Sequence, residues 1–256
     1  MQNSYKSLKI RTWADAPCII TGAGPTLINF DLTNCVNCHN ISVNSSIIKY
    51  KWNDPGDPNY LRAWVSNDSL CKKWSYFDKV LSDNCEKIVR DSWLKYEKEL
   101  NNFLFFSPRS SKEDVFLEGD EGLAYNSSVP TSIDLAIKLG FKNIYLLGID
   151  HHSVNGKTHF WQFMNKSEQP KEKVVSGDRN IMLPPMRIMQ PENLQKNAWN
   201  MNIEVFKSIK EYAKLNGANI YNVQEGDSCI PFDKVNFSGS NLKNYGIKFM
   251  SILKNS

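Results

Sequence analysis

The chain lacks the features that mark several large classes of protein. No apolar run approaches the roughly 18 residues that a membrane-spanning helix needs. The first residues, M-Q-N-S-Y-K-S-L-K, hold no signal-peptide core. The net charge is only +4 over 256 residues, well short of the strongly basic balance of a nucleic-acid binder. We therefore expect a cytoplasmic protein with no membrane span and no nucleic-acid partner.

Histidine is scarce, and the cysteines offer no metal framework. The chain has four histidines and six cysteines, which we expect to be reduced thiols in a cytoplasmic protein. The segment Cys35-Val36-Asn37-Cys38-His39 matches the C-x-x-C-H signature of haem attachment, but that chemistry belongs to exported proteins. A structural zinc site would need a second cysteine pair, which is missing. We expect neither haem nor zinc.

Short apolar runs alternate with segments of helical spacing. Strands are predicted at 17–21, 41–43, 61–65, 87–90, 103–106, 144–150 and 219–223. Helices are predicted at 69–81, 92–101, 130–139, 192–215 and 242–253. Such alternation predicts an α/β fold, with one Rossmann-like domain over 1–256 and a mostly parallel sheet that has helices on both faces.

A long irregular segment follows Gly148-Ile149-Asp150, the end of the strand predicted at 144–150. It covers 151–191 and has no clear period, and it contains four prolines and Gly177. Because so long a connection is unusual in a compact domain, we expect a lid or an inserted segment here.

The glycine-rich loop Gly22-Ala23-Gly24-Pro25-Thr26 directly follows the first predicted strand. Glycines at this point allow a phosphate to approach the backbone, and a following helix would offer free N–H groups. Leu27 stands at the third glycine position of G-x-G-x-x-G, so a dinucleotide cofactor is not supported. Ligand contact and a plain tight turn both remain open.

Short polar side chains follow several predicted strands. They lie in Asn44-Ser45-Ser46, Asn67-Asp68-Ser69 and Asn126-Ser127-Ser128. These side chains can bind bases, riboses and phosphates, although each is also an ordinary turn former or N-cap. Since the carboxyl ends of parallel strands share one edge, we predict that the three sets converge near the glycine loop.

Titratable residues cluster after the strand that ends in Gly148-Ile149-Asp150. His151, His152 and His159 follow within ten residues of Asp150. Imidazole and carboxylate could bind a metal, but two adjacent histidines point in different directions when extended, so we predict no metal. Phosphate contact or acid–base catalysis fits better, because imidazole titrates near neutrality. A structural role remains open for His151.

Basic residues on the variable segments could clamp an anionic substrate when a lid closes. They are Arg109, Lys171, Lys173, Arg179 and Arg187. Solvated loop charges are the simpler interpretation of each.

Most of the chain resembles known families. G-A-G-P-T-L after the first strand is similar to the G-x-G-P-S-L opening of Campylobacter-type CMP-sialic-acid sialyltransferases and of the MptE-like domain-of-unknown-function family. The stretch S-S-V-P-T-S-I-D-L-A-I-K-L-G-F-K-N-I-Y-L-L-G-I-D-H-H, with A-N-I-Y-N-V and I-P-F-D-K-V-N-F later, looks closest to bacterial MptE-like proteins of surface-glycan clusters. The MptE-like family also includes archaeal pterin diphosphokinases.

The resemblance implies roles for individual positions. The sialyltransferase pattern places nucleotide contacts at Gly24, Asn44, Asn67, Ser127 and Ser128. Two tyrosines that hold the donor phosphate in that family correspond here to His152 and His159. The family's catalytic base is a later histidine, and no histidine follows His159. Either His151 or His152 takes that task, or the reaction is not sialyl transfer.

Three functional hypotheses follow. The first is a nucleotide-dependent transferase that uses a CMP- or other nucleotide-sugar donor and a small-molecule or glycan acceptor, with Asp150 orienting a histidine or a ribose. The second is an ATP-dependent diphosphokinase, for which Asp31, Asp68 and Asp150 would carry Mg²⁺. The third is an accessory protein that binds nucleotide or glycan without catalysis. No other cofactor is implied, and a homo-oligomer is compatible with each hypothesis.

Overall fold

A computed structural model gives the architecture. It describes residues 4–95, 100, 102–110, 116, 119–124, 127–176, 179–183, 192–224 and 229–255. The strands are β1 (Cys18–Thr21), β2 (Phe30–Asp31), β3 (His39–Val43), β4 (Arg62–Ser66), β5 (Glu86–Arg90), β6 (Phe103–Phe106), β7 (Asn143–Leu147), β8 (Glu172–Ser176), β9 (Arg179–Leu183), β10 (Asn219–Val223), β11 (Asp233–Val235) and β12 (Lys248–Phe249). The α-helices are α1 (Tyr76–Ser82), α2 (Ser128–Lys138) and α3 (Glu192–Leu215).

The main sheet has eight parallel strands in the order β11-β10-β7-β1-β3-β4-β5-β6. From β1 the chain builds outward through β3 to β6, and it then returns to the other side of β1 through β7. The order of the strands therefore reverses at β1, between β7 on one side and β3 on the other. Open α/β sheets bind ligands in the crevice at such a point, beyond the carboxyl ends of the strands. The predicted Rossmann-like parallel sheet is confirmed.

The two faces of the sheet bury separate cores. Ile20 packs into a cluster shared with α2 and α3, whereas its neighbour Ile19 packs into a cluster shared with α1. Successive side chains of a strand point to opposite faces, and both isoleucines are 0% exposed. Helices cover both faces of the sheet, as predicted, and this explains why consecutive residues of β1 are buried and not alternately exposed.

Helix α2 begins beside the carboxyl ends of β1 and β3 and packs against the sheet. Its apolar face, Ile133, Ala136 and Ile137, is buried against the sheet. Gly140 ends the helical segment with φ +87°, a backbone conformation that glycine adopts without steric cost. The predicted helix and its glycine stop are confirmed, and the sequence of β7 follows directly.

The chain after β7 leaves the main sheet. A 3₁₀ helix at Phe160–Phe163 packs beside the 3₁₀ helix Pro25–Asn29, and β8 and β9 form a separate antiparallel hairpin. Two hydrogen bonds join Ser75 and Lys171 and attach the base of the hairpin near α1. The described part of 151–191 thus contains a hairpin outside the main sheet. Residues 177–178 and 184–191 lie outside the described residues, and the lid or inserted segment at 151–191 stays a prediction.

Several predicted helices are shorter or broken. The predicted helix at 242–253 is wrong, because Gly246 takes φ +78° between a 3₁₀ helix at Leu242–Tyr245 and β12. The predicted helix at 69–81 is a 3₁₀ helix, Ser69–Lys73, followed by α1. Other 3₁₀ helices lie at Tyr5–Leu8, Asn44–Lys49, Asp91–Lys95, Phe237–Gly239 and Ile252–Asn255.

None of the helices in the described ranges combines the length and the apolar character needed to traverse a bilayer.

Candidate functional site

A cavity of about 260 Å³ lies at the carboxyl ends of β1, β3 and β7. Ten residues that the sequence singled out line it: Gly22, Gly24, Pro25, Asn44, Ser127, Gly148, Asp150, His151, His152 and His159. Of the three polar sets predicted to converge near the glycine loop, Asn44 and Ser127 represent two, whereas no residue of Asn67-Asp68-Ser69 lines the cavity. The volume lies just below the roughly 300–1,000 Å³ of typical small-molecule sites.

The glycine loop forms one wall, and its glycines are required by packing. The Gly22 N–H donates to the Leu147 carbonyl and the Gly24 N–H to the Gly148 carbonyl, both at 2.8 Å. A Cβ at Gly22 would lie 2.5 Å from the Gly148 carbonyl oxygen. The loop is therefore pressed against the end of β7, and these two amides are already used. They are not available to a phosphate, which the sequence alone could not show.

Asp150 holds the loop in place. Its carboxylate accepts hydrogen bonds from the Thr26 amide at 2.8 Å and from the Thr26 hydroxyl, and from the Gln224 side chain at 3.3 Å. Burial raises the pKa of Asp150, although the bonds from Thr26 oppose that shift. The helix that follows the loop is a five-residue 3₁₀ helix, Pro25–Asn29. The Thr26 amide, which was predicted to be free for a phosphate, thus donates its hydrogen bond to Asp150 instead.

The backbone of Asp150 also orients the ring of His152. Its Nδ1 lies 3.0 Å from the carbonyl oxygen of Asp150. Because a carbonyl only accepts, Nδ1 carries the proton, and in that tautomer Nε2 is the acceptor nitrogen of the ring. Since the ring lines the cavity, Nε2 is suited to take a proton from a bound ligand. This contact uses a backbone carbonyl, which any residue at position 150 would supply, whereas the Asp150 carboxylate bonds Thr26 and Gln224. Orientation of a histidine by the Asp150 side chain stays a prediction.

His151 turns away from His152. Its backbone has φ +54°, and its ring packs near Trp199 and Phe206 at centroid distances of 6.2 and 5.1 Å. Burial lowers the pKa of His151 from 6.5 to about 4, opposed by a hydrogen bond to the Trp199 backbone. Its Nδ1 is buried without a hydrogen-bond partner. These contacts favour a packing role for His151 over the predicted catalytic one.

His159 lies at the start of the 3₁₀ helix Phe160–Phe163. One ring nitrogen, Nδ1, lies 2.9 Å from the Thr158 hydroxyl, and the ring centroid is 5.2 Å from that of Trp161. Burial lowers the pKa of His159 to about 4. In the ligand-free protein the ring is therefore neutral at pH 7, and it can form a hydrogen bond with a phosphate.

Asn44 enters the cavity from the end of β3 in a left-handed conformation, with φ +52°. The Trp64 indole donates to its carbonyl oxygen at 2.9 Å and fixes this turn. Beneath it, the Ser46 hydroxyl donates to the Thr21 carbonyl and accepts from the Val43 amide, both at 2.8 Å. Asn44 is thus presented by a rigid support, whereas Ser46 belongs to that support.

Four predicted nucleotide contacts lie outside the lining. They are Thr26, Ser45, Asn67 and Ser128. The Asn67 amide donates to the Ser128 hydroxyl at 2.9 Å, and its side chain bonds Thr131 at 2.8 Å. These bonds attach the end of β4 to the start of α2. Asn67 and Ser128 therefore have structural partners, and a contact of these four with nucleotide stays a prediction.

The remaining lining residues were not predicted. They are Ala23, Val43, Val129, Ile149, Thr158, Trp199 and Asn202. Trp199 and Asn202 come from α3, whose span was predicted without any indication of which face meets the sheet. Their spacing of three residues, continued by Phe206 and Ile209, marks one helix face. That signal identifies the buried face but not what it covers.

The described residues give no metal site. No cluster of three or more histidine, cysteine, aspartate or glutamate side chains in them could hold a metal ion. Asp31 binds Thr33 and Asp68 caps the 3₁₀ helix at Leu70, and neither lines the cavity. The Mg²⁺ set of the diphosphokinase hypothesis is therefore not assembled within these residues.

The predicted basic clamp is also dispersed. Arg109 is buried, and its Nε and Nη2 donate to Asp134 at 2.9 and 2.7 Å, so the clamp prediction is wrong for it. Lys173 pairs with Asp78, Lys171 is exposed, and Arg179 belongs to β9. Arg187 lies outside the described residues. The described lining contains no lysine or arginine.

The histidine of the C-x-x-C-H segment is a core residue. His39 is 0% exposed, its Nε2 bonds the Ala14 carbonyl at 2.9 Å, and its Nδ1 accepts from the Leu61 amide at 3.0 Å. Burial lowers its pKa. Both ring nitrogens are used, so this histidine offers no nitrogen to a haem iron.

Comparisons with known proteins give a limited context. No protein-family model and no curated protein sequence matches the chain. The crystal structure of the monofunctional alpha-2,3-sialyltransferase Cst-I from Campylobacter jejuni is similar, with 15% sequence identity and a TM-score of 0.46. The similarity covers 88% of this chain and 82% of that one.

Proposed function

We propose that the chain is a nucleotide-sugar-dependent transferase of glycan assembly in which His152 is the general base. The observation that carries the proposal is the bond between His152 Nδ1 and the Asp150 carbonyl beside a cavity at the sheet's switch point. It fixes one tautomer and leaves Nε2 able to accept a proton. The segment resemblance described above favours cytidine monophosphate as the nucleotide part of the donor.

The transfer requires one proton movement at this end of the sheet. His152 Nε2 would accept the proton of an acceptor hydroxyl as its oxygen bonds to the anomeric carbon of the donor sugar. The bond from that carbon to the phosphate oxygen breaks, and the nucleotide leaves. Asp150 acts as a positioning residue because its carbonyl holds the ring and its carboxylate holds the Thr26 amide.

Neutral polar groups would bind the donor. Asn44, Ser127 and Asn202 line the cavity and can hydrogen-bond a ribose or a base. His159 is neutral because burial lowers its pKa to about 4, so it would contribute a hydrogen bond to the phosphate. Since the described lining holds no lysine or arginine, we expect weak nucleotide binding.

A nucleotide panel tests the binding part. The protein is heated with CMP, CDP, UDP, GDP or ATP at about 1 mM, with and without Mg²⁺. A ligand at ten times its Kd stabilises by about 1.4 kcal/mol, which raises Tm by about 3–6 °C for a chain of this size. We expect CMP to give the largest shift without Mg²⁺. Stabilisation by no nucleotide would refute the proposal, and a shift confined to ATP with Mg²⁺ would favour the diphosphokinase hypothesis instead.

Alanine variants of two adjacent residues, one inside the cavity and one outside it, test whether the nucleotide binds in this cavity. Asn44 lines the cavity, whereas Ser45 does not. Asn44→Ala should weaken CMP binding about tenfold, the loss of roughly one hydrogen bond to a ligand, and Ser45→Ala should leave it unchanged. Equal effects of the two changes would place the nucleotide elsewhere.

The general base is tested by His152→Ala in a nucleotide-release assay with a CMP-sugar donor. We expect a fall in kcat of about 10²–10⁴-fold, as for loss of a general base, with donor affinity changed much less. His151→Asn is the control, because its ring packs on Trp199 and Phe206. A large loss of kcat in His151→Asn with full activity in His152→Ala would reverse the assignment.

A further inference from the structure

Cys35 and Cys38 lie in the turn that leads from β2 into β3. They precede β3, and Asn44 of the candidate site follows it, so about 20 Å of extended chain separates the two places. Val36, between the cysteines, is 51% exposed. Asn37 has φ +55° and reverses the chain, so the two side chains meet.

The two sulfur atoms are in direct contact. Cys35 Sγ and Cys38 Sγ are 3.2 Å apart, compared with about 2.05 Å in a disulfide. Roughly 1 Å of approach would therefore join them. The turn is anchored on both sides, because the Cys35 amide donates to the Leu32 carbonyl and the Val36 amide to the Tyr245 carbonyl. The contact is built into the loop.

Asn40 makes the two thiols unequal. Cys35 Sγ lies 3.2 Å from the Asn40 carbonyl oxygen, which can only accept, so Cys35 carries the proton. The Asn40 side-chain amide donates to Cys38 Sγ at 3.5 Å. The bond from Cys35 and this amide lower the pKa of Cys38, whereas the same pairing raises the pKa of Cys35. The Cys38 sulfur is the one that the surroundings stabilise as thiolate.

The pair faces a cavity of its own. The cavity measures about 300 Å³ and is lined by Cys35, Cys38, Asn40, Asp54, Tyr60 and Arg62, among others. Cys35 is partly exposed, while Cys38 is 2% exposed. A small molecule can therefore reach Cys35 first. Elsewhere, Cys18 and Cys71 are buried, Cys85 is half-buried and Cys229 is exposed.

We propose that Cys35 and Cys38 form a reversible disulfide by exchange with a small disulfide such as oxidised glutathione. The Cys35 thiol passes its proton to the Cys38 thiolate 3.2 Å away, and Cys35 Sγ attacks one sulfur of the oxidant, which releases one small thiolate and leaves a mixed disulfide on Cys35. The released thiolate takes up the proton from Cys38, and the Cys38 thiolate then attacks Cys35 Sγ and displaces the second small thiolate. Two protein thiols are oxidised and one small disulfide is reduced to two thiols. This exchange is independent of the proposed transferase activity.

The test uses the full chain with Cys85→Ser and Cys229→Ser, which removes the half-buried and the exposed thiol outside the pair. The protein is equilibrated in glutathione buffers from fully reduced to fully oxidised, remaining thiols are blocked, and intact mass and peptide mapping follow. We expect a loss of two hydrogens from the parent and one mapped bond between Cys35 and Cys38, reversed by excess reduced glutathione. Absence of that bond in the oxidised buffer would overturn the proposal.

Two further variants separate the steps. With Cys38→Ser, the mixed disulfide on Cys35 cannot be resolved, so we expect a stable glutathione adduct on Cys35. With Cys35→Ser, the buried Cys38 should gain at least tenfold less adduct. Equal adducts in both variants would show that neither order nor pairing exists. Circular dichroism spectra matching the parent confirm that each variant is folded.

Discussion

Two histidines at the candidate site should make the protein sensitive to mild acid. Burial lowers the pKa of His151 and of His159 from 6.5 to about 4. Above pH 6.5 both folded and unfolded chains keep these rings neutral. As the pH falls from 6.5 to 4, the unfolded chain takes up protons that the folded chain cannot, so this part of the stability is lost across that window.

The magnitude follows from the shift. Each histidine changes the free energy of unfolding by about 1.4 kcal/mol per pH unit within the window. Between about pH 7.5 and pH 5, this amounts to about 2 kcal/mol for each ring. Both rings keep some exposure, which screens the effect, so we expect a loss of about 2–4 kcal/mol for the pair.

Guanidinium unfolding at several pH values between 7.5 and 5 measures this loss. The comparison is the double variant His151→Asn/His159→Gln, since asparagine tolerates the positive φ at position 151. We expect its stability to fall much less steeply with acid. His39 also has a lowered pKa, so some slope remains. Staying above pH 5 keeps most carboxylates ionised.

Imidazole NMR titration supplies the direct check. Resonances of His151 and His159 should move with midpoints well below those of an exposed histidine. Midpoints near 6.5 for both, or identical pH slopes for the parent and the double variant, would show that the rings are solvated. In that case His159 could bind a phosphate as a cation, and the expectation of weak nucleotide binding would be wrong.

Three further outcomes follow from single contacts. Gly24→Ala places a Cβ 2.5 Å from a buried carboxylate oxygen and should cost about 1–3 kcal/mol in guanidinium unfolding, whereas Gly239→Ala, with its nearest atom at 3.6 Å, should cost much less; equal costs would contradict the close packing. Asp134→Leu strands the buried Arg109 and should cost about 3–5 kcal/mol, and a loss under 1 kcal/mol would show that water reaches the guanidinium. Asn44→Gly keeps the left-handed backbone, so Tm should change little while the CMP-induced shift falls; an unchanged shift would exclude Asn44 from the nucleotide site.

The sequence predicted elements where one local pattern dominates. The residues Ile144 to Leu147 are apolar on both faces and follow a glycine stop, so a central strand was expected there and β7 confirms it. Helix α3 agrees with its prediction at both ends, Glu192 and Leu215. In these segments burial and backbone preference favour the same structure, and no distant contact is needed to decide it.

The segment after β1 shows what local pattern cannot decide. A helix after the glycine loop was expected to offer free amides to a phosphate. The Thr26 amide is instead taken by Asp150, which lies 124 positions later. Both glycines then pack on the end of β7. A glycine loop that serves strand packing and one that serves a phosphate have the same residues, and only the partner distinguishes them.

The adjacent histidines His151 and His152 are a second case in which distant contacts, and not the local sequence, decide what each residue does. His151 and His152 are identical in type and adjacent in sequence, so composition and spacing assign them one shared role. The positive φ at His151 sends its ring towards Trp199 and Phe206 of α3, which lie about fifty residues further on. His152 is left against the Asp150 carbonyl with one nitrogen free. The packing of α3 against His151 thus distinguishes two histidines that their positions in the sequence do not.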